Sequence, residues 1–161
     1  MKLLSKGFTL IELVVVISII AVLSAIILFT VTQYVSKGKD SNISANLAIL
    51  IPAGEAFYNG NGNSYSGFCD PRQNSVIRTA MSQMPAFPTP DDCENGLTPG
   101  VCCYVATPNY DAWAACAQEF TNSLKAYCVD SRGFKEEICN KNCTNTLTQC
   151  PDPSTQTSCS S

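Results

Sequence analysis

One carboxylate, Glu12, lies near the start of a long apolar run, and it is the first candidate for a functional group in this sequence. Lys2 and Lys6 are the only charged residues before it, and Lys37 is the next one after it. A carboxylate in hydrocarbon is costly unless it is protonated or paired with a cation. The sequence therefore predicts a cationic partner for Glu12.

Glu12 also fits a local role, because Thr9 stands three residues before it. In a capping box, a Thr and a Glu at this spacing bond to each other's backbone N–H groups in the first turn of a helix. The carboxylate gains further from the positive end of the helix dipole. The two roles are compatible, and both place Glu12 at the start of a helix.

The block from Leu13 to Ser36 is uncharged and long enough to cross a membrane. Its 24 residues span about 36 Å as a helix, whereas a bilayer core is about 30 Å thick. A secretory signal has a shorter apolar core that precedes a cleavage site of small residues. Lys2 and Lys6 hold the first residues on the cytoplasmic side by the positive-inside rule, so we expect the remainder to lie outside.

The start of the chain, KGFTLIEL after a short basic leader, resembles the N-terminal signal of type IV pilins and type II secretion pseudopilins. The resemblance implies that a prepilin peptidase cleaves between Gly7 and Phe8 and that the new amino group of Phe8 is methylated. It also implies that Glu12 pairs with the Phe8 amine of a neighbouring subunit. That amine is the cationic partner that the carboxylate needs.

The resemblance further implies a structural subunit of a pilus or pseudopilus that serves motility, adhesion, DNA uptake or protein secretion. Its partners are then other pilin subunits in a helical filament, the prepilin peptidase, the pilus assembly platform and the membrane. The chain is expected to be a single-pass inner-membrane protein with a cytoplasmic leader and an external C-terminal domain, and extracellular once assembled. The alternative is a minor or tip pilin that acts as an adhesin or binding module, because its tail is rich in cysteine.

Ten cysteines follow the apolar block, and an even number in a small exported domain predicts a disulfide framework. Zinc is the competing interpretation for Cys139 with Cys143 and for the adjacent Cys102 and Cys103. The chain has no histidine and no CxxC pair, so we predict no metal site. The pairing stays open. The ten are Cys69, Cys93, Cys102, Cys103, Cys116, Cys128, Cys139, Cys143, Cys150 and Cys159.

The composition also argues against an enzyme and against nucleic-acid binding. Without histidine no Ser-His or Cys-His dyad is possible, so we predict no enzyme and no resident cofactor. The formal net charge of −3 disfavours contact with phosphates, so no nucleic-acid partner is expected. Asp91, Asp92 and Glu94 are candidates for calcium, but their spacing fits no EF-hand and favours a solvated loop.

Apolar residues continue at helical spacing beyond the block and predict one helix from Phe8 to Tyr58, in which Gly38 and Pro52 are candidate breaks. The resemblance implies that its second half packs on an antiparallel sheet. Strands are predicted at 101–106 and 126–130, and a short helix at 73–84. The segment 110–120 fits either a strand or a helix, and the resemblance implies a strand with Trp113 in the core. The stripe that faces the sheet consists of Ile43, Leu47, Leu50, Gly54 and Phe57.

The predicted fold class is α+β and pilin-like: a long N-terminal helix, transmembrane in its first half, on a small antiparallel sheet with a disulfide-rich C-terminal region. Five segments are predicted. They are a leader at 1–7, a transmembrane and filament-core helix at 8–36, its amphipathic continuation at 37–58, a globular pilin-like domain at 59–138 and a cysteine-rich tail at 139–161.

Overall fold

The computed structural model describes residues 8–85, 101–144, 146–152 and 159. A long helix is followed by a short helix and a four-stranded sheet, which confirms the predicted α+β class. The elements are α1 (Leu10–Gly60), α2 (Ser75–Gln83), β1 (Val101–Val105), β2 (Trp113–Gln118), β3 (Lys125–Asp130), β4 (Lys135–Cys139) and a 3-10 helix (Asn140–Asn142).

Helix α1 has 51 residues, the length predicted, but it starts and ends two residues later than Phe8 and Tyr58. It continues through Gly38 and Pro52, so neither residue ends it. A proline inside a helix removes one backbone hydrogen bond, and the bonds on either side hold the helix together here.

The chain divides into two compact units: the N-terminal unit, Met1–Ser36, and the C-terminal unit, Lys37–Ser161. In the N-terminal unit the described large apolar side chains of α1 are between 46% exposed, at Val16, and 80% exposed, at Leu10. Among the described residues, α1 is the one helix long and apolar enough to cross a membrane. Such a surface is stable in lipid or against protein, and not in water.

In the C-terminal unit the predicted stripe of α1 is confirmed: Ile43, Leu47 and Leu50 are fully buried. The stripe packs on one face of the sheet, which is called the inner face here. The strands of the sheet follow the order β1-β2-β3-β4, and every neighbouring pair is antiparallel. This order means that each strand pairs with the next one in the sequence. The sheet residues of the inner face are Val101, Cys103, Trp113, Ala115, Ala117 and Val129.

The opposite, outer face of the sheet is also buried, because described residues of the C-terminal tail (139–161) pack on it. Tail residues Cys143, Leu147 and Cys150 contact this face. Burial on both sides explains why β2 shows no alternation of polar and apolar residues. The outer-face residues of the sheet are mostly small: Cys102, Ala114, Cys116, Ala126, Cys128 and Ile138.

Strand β4 was not predicted, because its sequence KEEIC has three charged residues before the first apolar one. The loop that follows α1 begins after Gly60, and its Tyr65 is buried. Gly7, Cys93 and the candidate calcium ligands Asp91, Asp92 and Glu94 lie outside the described residues.

Candidate functional sites

The start of α1 forms the predicted capping box between Thr9 and Glu12. The backbone N–H and the hydroxyl of Thr9 donate to Glu12 Oε2 at 2.9 and 2.8 Å, and the N–H of Glu12 donates to Thr9 Oγ1 at 3.3 Å. Both bonds to the carboxylate come from neutral groups and both end on Oε2. Pairing of Glu12 with a cation from another subunit stays a prediction.

Two further polar side chains of the N-terminal unit, Ser18 and Thr30, form hydrogen bonds within the helix. The Ser18 hydroxyl donates to the carbonyl of Val15 at 2.7 Å, and the Thr30 hydroxyl donates to the carbonyl of Ile27 at 3.0 Å. In hydrocarbon every polar group needs a partner inside the protein. The surface of this unit is therefore suited to a membrane, and Glu12 is its one acidic group.

The described cysteines form a disulfide framework, as predicted, and the structure assigns pairs that the sequence left open. Cys102 is disulfide-bonded as well, and Cys93 lies outside the described residues. The assigned pairs, with their Cα–Cα distances, are Cys69–Cys103 at 5.5 Å, Cys116–Cys143 at 5.7 Å, Cys128–Cys150 at 6.0 Å and Cys139–Cys159 at 5.1 Å.

The disulfides attach segments of the chain to both faces of the sheet. Cys69–Cys103 fastens the segment after α1 to the inner face, and Cys116–Cys143 and Cys128–Cys150 fasten the tail to the outer face. The sulfurs considered for zinc are bonded to other sulfurs, and zinc requires thiolates. Structural cross-linking is the chemistry these residues perform here.

Asp130, the last residue of β3, is fully buried and holds the tail by hydrogen bonds. Its Oδ1 accepts the N–H of Arg132 at 2.9 Å, and its Oδ2 accepts Arg132 Nε at 3.0 Å and the N–H of Cys150 at 3.0 Å. Arg132 Nη2 also donates to the carbonyl of Cys150 at 2.8 Å. A buried carboxylate is stable when it is hydrogen-bonded and paired in this way.

Asp40 connects α1 to the loop between β2 and β3. Its Oδ1 accepts the N–H of Phe120 at 2.6 Å, and its Oδ2 accepts the N–H of Thr121 at 3.1 Å and the Thr121 hydroxyl at 2.5 Å. Lys39 Nζ lies 4.4 Å from the centre of the Phe120 ring, a cation–π distance. Sequence analysis missed this contact, because no local signal joins residues 80 positions apart.

Next to Asp40 lies a second carboxylate, Glu119, whose surroundings favour the protonated form. Partial burial, and then the charges of Glu137 and Asp40, raise the pKa of Glu119 to about 7, and Lys125 opposes this shift. Lys125 donates to Glu137 at 2.5 Å, and both side chains are well exposed, so this ion pair contributes little to stability. The hydrogen bond from Lys125 to Glu137 raises the pKa of Lys125.

Trp113 is fully buried and packs on α1 at Gly54, which confirms the prediction that it is a core residue. A Cβ atom at Gly54 would lie 2.7 Å from Trp113 Nε1, closer than real Cβ contacts. The Trp113 ring centre lies 4.6 Å from that of Phe68 and 6.5 Å from that of Tyr65. Burial, and then the Glu55 carboxylate to which the Tyr65 hydroxyl donates at 3.1 Å, raise the pKa of Tyr65 to about 12.

Searches of curated proteins and of solved structures returned no match to this chain. A family model described as the prokaryotic N-terminal methylation motif matches residues 3–28. The match covers Lys6, Glu12 and most of the exposed apolar part of α1. This chain therefore carries the methylation motif that is the signature of type IV pilins and pseudopilins, as a pilin-type precursor does.

Proposed function

We propose that this protein is a structural subunit of a type IV pilus or pseudopilus filament, assembled through the N-terminal unit of α1. One observation carries the proposal: α1 buries its stripe from Ile43 onward against its own sheet, but leaves the large apolar side chains before Ser36 exposed. An apolar helix surface without a partner in its own chain requires lipid or other copies. Lipid covers it before assembly, and neighbouring helices cover it in the filament.

Glu12 orients this assembly. Its two bonds from Thr9 both end on Oε2, so within the described part of the chain Oε1 is open to a donor from another subunit. Cleavage between Gly7 and Phe8 creates an amine one turn before Glu12. That amine, methylated on Phe8, is the cation that pairs with Glu12 of a neighbour and sets the stagger between the two helices.

The same proposal includes processing and location. A prepilin peptidase removes residues 1–7, and the C-terminal unit lies outside the inner membrane until the subunit enters the filament. The disulfide framework supports an external location, because disulfides persist in oxidising compartments. No catalytic function is part of the proposal.

The test compares Glu12→Gln, Glu12→Ala and Thr9→Ala in cells that make the filament. Gln can still accept the Thr9 hydrogen bonds but carries no charge, whereas Thr9→Ala removes the cap and keeps the carboxylate. We expect both Glu12 variants to be processed normally and to be nearly absent from sheared filaments, and Thr9→Ala to assemble. Loss of a cap alone costs about 1 kcal/mol of helix stability, which is too little to prevent assembly.

Normal filament yield from Glu12→Gln would overturn the pairing mechanism. Mass spectrometry of each variant checks that cleavage after Gly7 is unchanged, because an uncleaved precursor lacks the Phe8 amine and would confuse the result.

A second candidate is a minor or tip subunit that acts as an adhesin or binding module. The tail favours it, since it forms an additional layer on the outer face of the sheet, held by Cys116–Cys143 and Cys128–Cys150. The abundance and position of the protein in isolated filaments distinguish the candidates. A bulk subunit is present along the whole filament, and a tip subunit is found at its end in few copies.

A further inference from the structure

Three cysteines lie side by side in a row across the outer face of the sheet. Cys102 of β1 is directly opposite Cys116 of β2, and Cys116 is directly opposite Cys128 of β3. Neighbours in this row are not bonded to each other: Cys116 bonds to Cys143 of the tail and Cys128 to Cys150. The fold therefore places sulfurs of different disulfides next to each other.

The sulfur atoms of Cys102, Cys116 and Cys143 lie close together. Their three Sγ atoms lie within 4.8 Å of one another, and Cys102 Sγ is 3.7 Å from the backbone oxygen of Cys143. Directly opposite residues of an antiparallel pair have Cα atoms about 4.5–5.5 Å apart, inside the range of about 4.4–6.8 Å for disulfides. The bond Cys102–Cys116 can therefore form while the strands stay paired, and the bond Cys102–Cys143 requires two sulfurs to close a gap of at most 4.8 Å.

We propose that Cys102, Cys116 and Cys143 form a thiol–disulfide exchange site that is acted on by a dithiol oxidoreductase of the exported compartment. The dithiol reduces the disulfide of Cys102 and becomes a disulfide itself, so both sulfurs of the original bond become thiols and Cys102 supplies a thiolate. This thiolate attacks Cys143 Sγ or Cys116 Sγ, so the Cys116–Cys143 bond breaks as the new bond forms. The displaced sulfur leaves as a thiolate, and no electrons are gained or lost in the exchange step.

The two products differ in how the tail is held. A bond from Cys102 to Cys143 attaches the tail to β1 instead of β2. A bond from Cys102 to Cys116 joins β1 to β2 and leaves Cys143 as a free thiol. All three sulfurs lie within 4.8 Å of one another, so a dithiol partner can convert the pairing of the structure into either alternative and back.

The test uses the full chain, purified in detergent under oxidising conditions, with one cysteine removed. Cys93→Ser leaves nine of the ten cysteines, an odd number, so at least one thiol must remain. The protein is incubated at several pH values, quenched with acid, alkylated after denaturation and mapped by mass spectrometry. We expect the label on Cys102 to shift to Cys116 or Cys143 as the pH rises toward a thiol pKa of about 8.5, because the thiolate is the attacking form.

Cys69→Ser is the matched control, because it removes the partner of Cys103. Cys103 follows Cys102 in β1 but belongs to the inner face of the sheet, whereas Cys102, Cys116 and Cys143 lie on the outer face. We expect the control label to stay on Cys103 at every pH. The proposal would be overturned if, in Cys93→Ser, the alkyl label stays on Cys102 at every pH or is found on a cysteine other than Cys102, Cys116 and Cys143.

A second measurement protects the test against a variant that fails to fold. The unchanged protein is treated briefly with a small dithiol, alkylated and digested without further reduction. Peptides linked through Cys102–Cys143 or Cys102–Cys116 are the expected products. Partial reduction that yields neither linkage, with Cys116–Cys143 intact or simply reduced, contradicts the proposal.

Discussion

The two units of this protein use one helix in opposite ways. In the N-terminal unit the large apolar residues of α1 are exposed, and Glu12 is the single acid. In the C-terminal unit the apolar residues form a stripe on one side, and Ile43, Leu47 and Leu50 of that stripe are buried against the sheet. A helix with one apolar stripe can find its partner in its own chain, whereas a helix that is apolar on all sides must find it elsewhere.

The comparison also concerns the origin of stability. Helix α1 in the N-terminal unit depends on backbone hydrogen bonds and on its surroundings. The C-terminal unit depends on a small core, on disulfides and on a few carboxylates that connect distant segments. Changes that break one kind of support should therefore leave the other unit intact.

The largest expected effect is that of reducing the disulfides. Loss of one native disulfide costs about 2–5 kcal/mol, and the structure assigns four pairs to the C-terminal unit. We expect full reduction to remove the protease resistance of the C-terminal unit, while the detergent-bound part of α1 keeps its helical signal in circular dichroism. Equal protease resistance before and after reduction would show that the core alone maintains this unit.

A smaller effect is expected from Gly54→Ala, and the same change at Gly38 is its control. A Cβ atom at Gly54 meets the Trp113 ring at 2.7 Å, whereas at Gly38 it meets nothing within 4 Å. Overpacking should lower the free energy of unfolding by about 1–3 kcal/mol in Gly54→Ala. Gly38→Ala should instead strengthen the helix by about 0.5–1 kcal/mol, because glycine weakens helices. Thermal unfolding of both variants in detergent measures the difference.

A change of stability in the same direction in Gly54→Ala and Gly38→Ala would contradict this prediction. The contact with Trp113 would then not explain why position 54 of α1 is a glycine.

Asp40→Ala should have a comparable or slightly smaller effect, since it removes three hydrogen bonds to Phe120 and Thr121. A hydrogen bond to a charged group contributes about 1.5–3 kcal/mol, and solvent near the exposed Thr121 lowers this value. We expect faster hydrogen exchange at the N–H groups of Phe120 and Thr121, with the sheet otherwise unchanged. Unchanged exchange at these two groups would mean that Asp40 does not hold the loop. Ser41→Ala, in the next position, is the control.

The smallest effect is the pH dependence from Glu119. Its pKa is raised from 4.5 to about 7 in the folded chain, so the folded state binds the proton more tightly than the unfolded state does. The stabilisation is complete below pH 4.5 and is lost as the pH rises toward 7. Glu119→Gln cannot lose a proton, so its unfolding free energy should fall less over this range. Parallel pH profiles for Glu119→Gln and the unchanged protein would contradict this assignment.

Local patterns predicted much of this fold. The spacing of Ile43, Leu47 and Leu50 is a property of one helix, so it could be recognised without the sheet. The Thr9–Glu12 capping box also lies within one turn and forms as predicted. Strand β4 was missed because its charged residues lie on an exposed edge, where apolar alternation is not needed.

The sequence alone predicted the long helix, the change from an all-apolar to a striped surface along it, the position of Glu12 and the disulfide-bonded state of the cysteines in the C-terminal unit. These depend on residue type and on spacings of a few residues. Only the tertiary structure decided which cysteines pair, that Asp40 holds Thr121, and that Asp130 holds Cys150. The physical reason is distance along the chain: these contacts join residues about 20 to 80 positions apart and exist only once strand register has set their places.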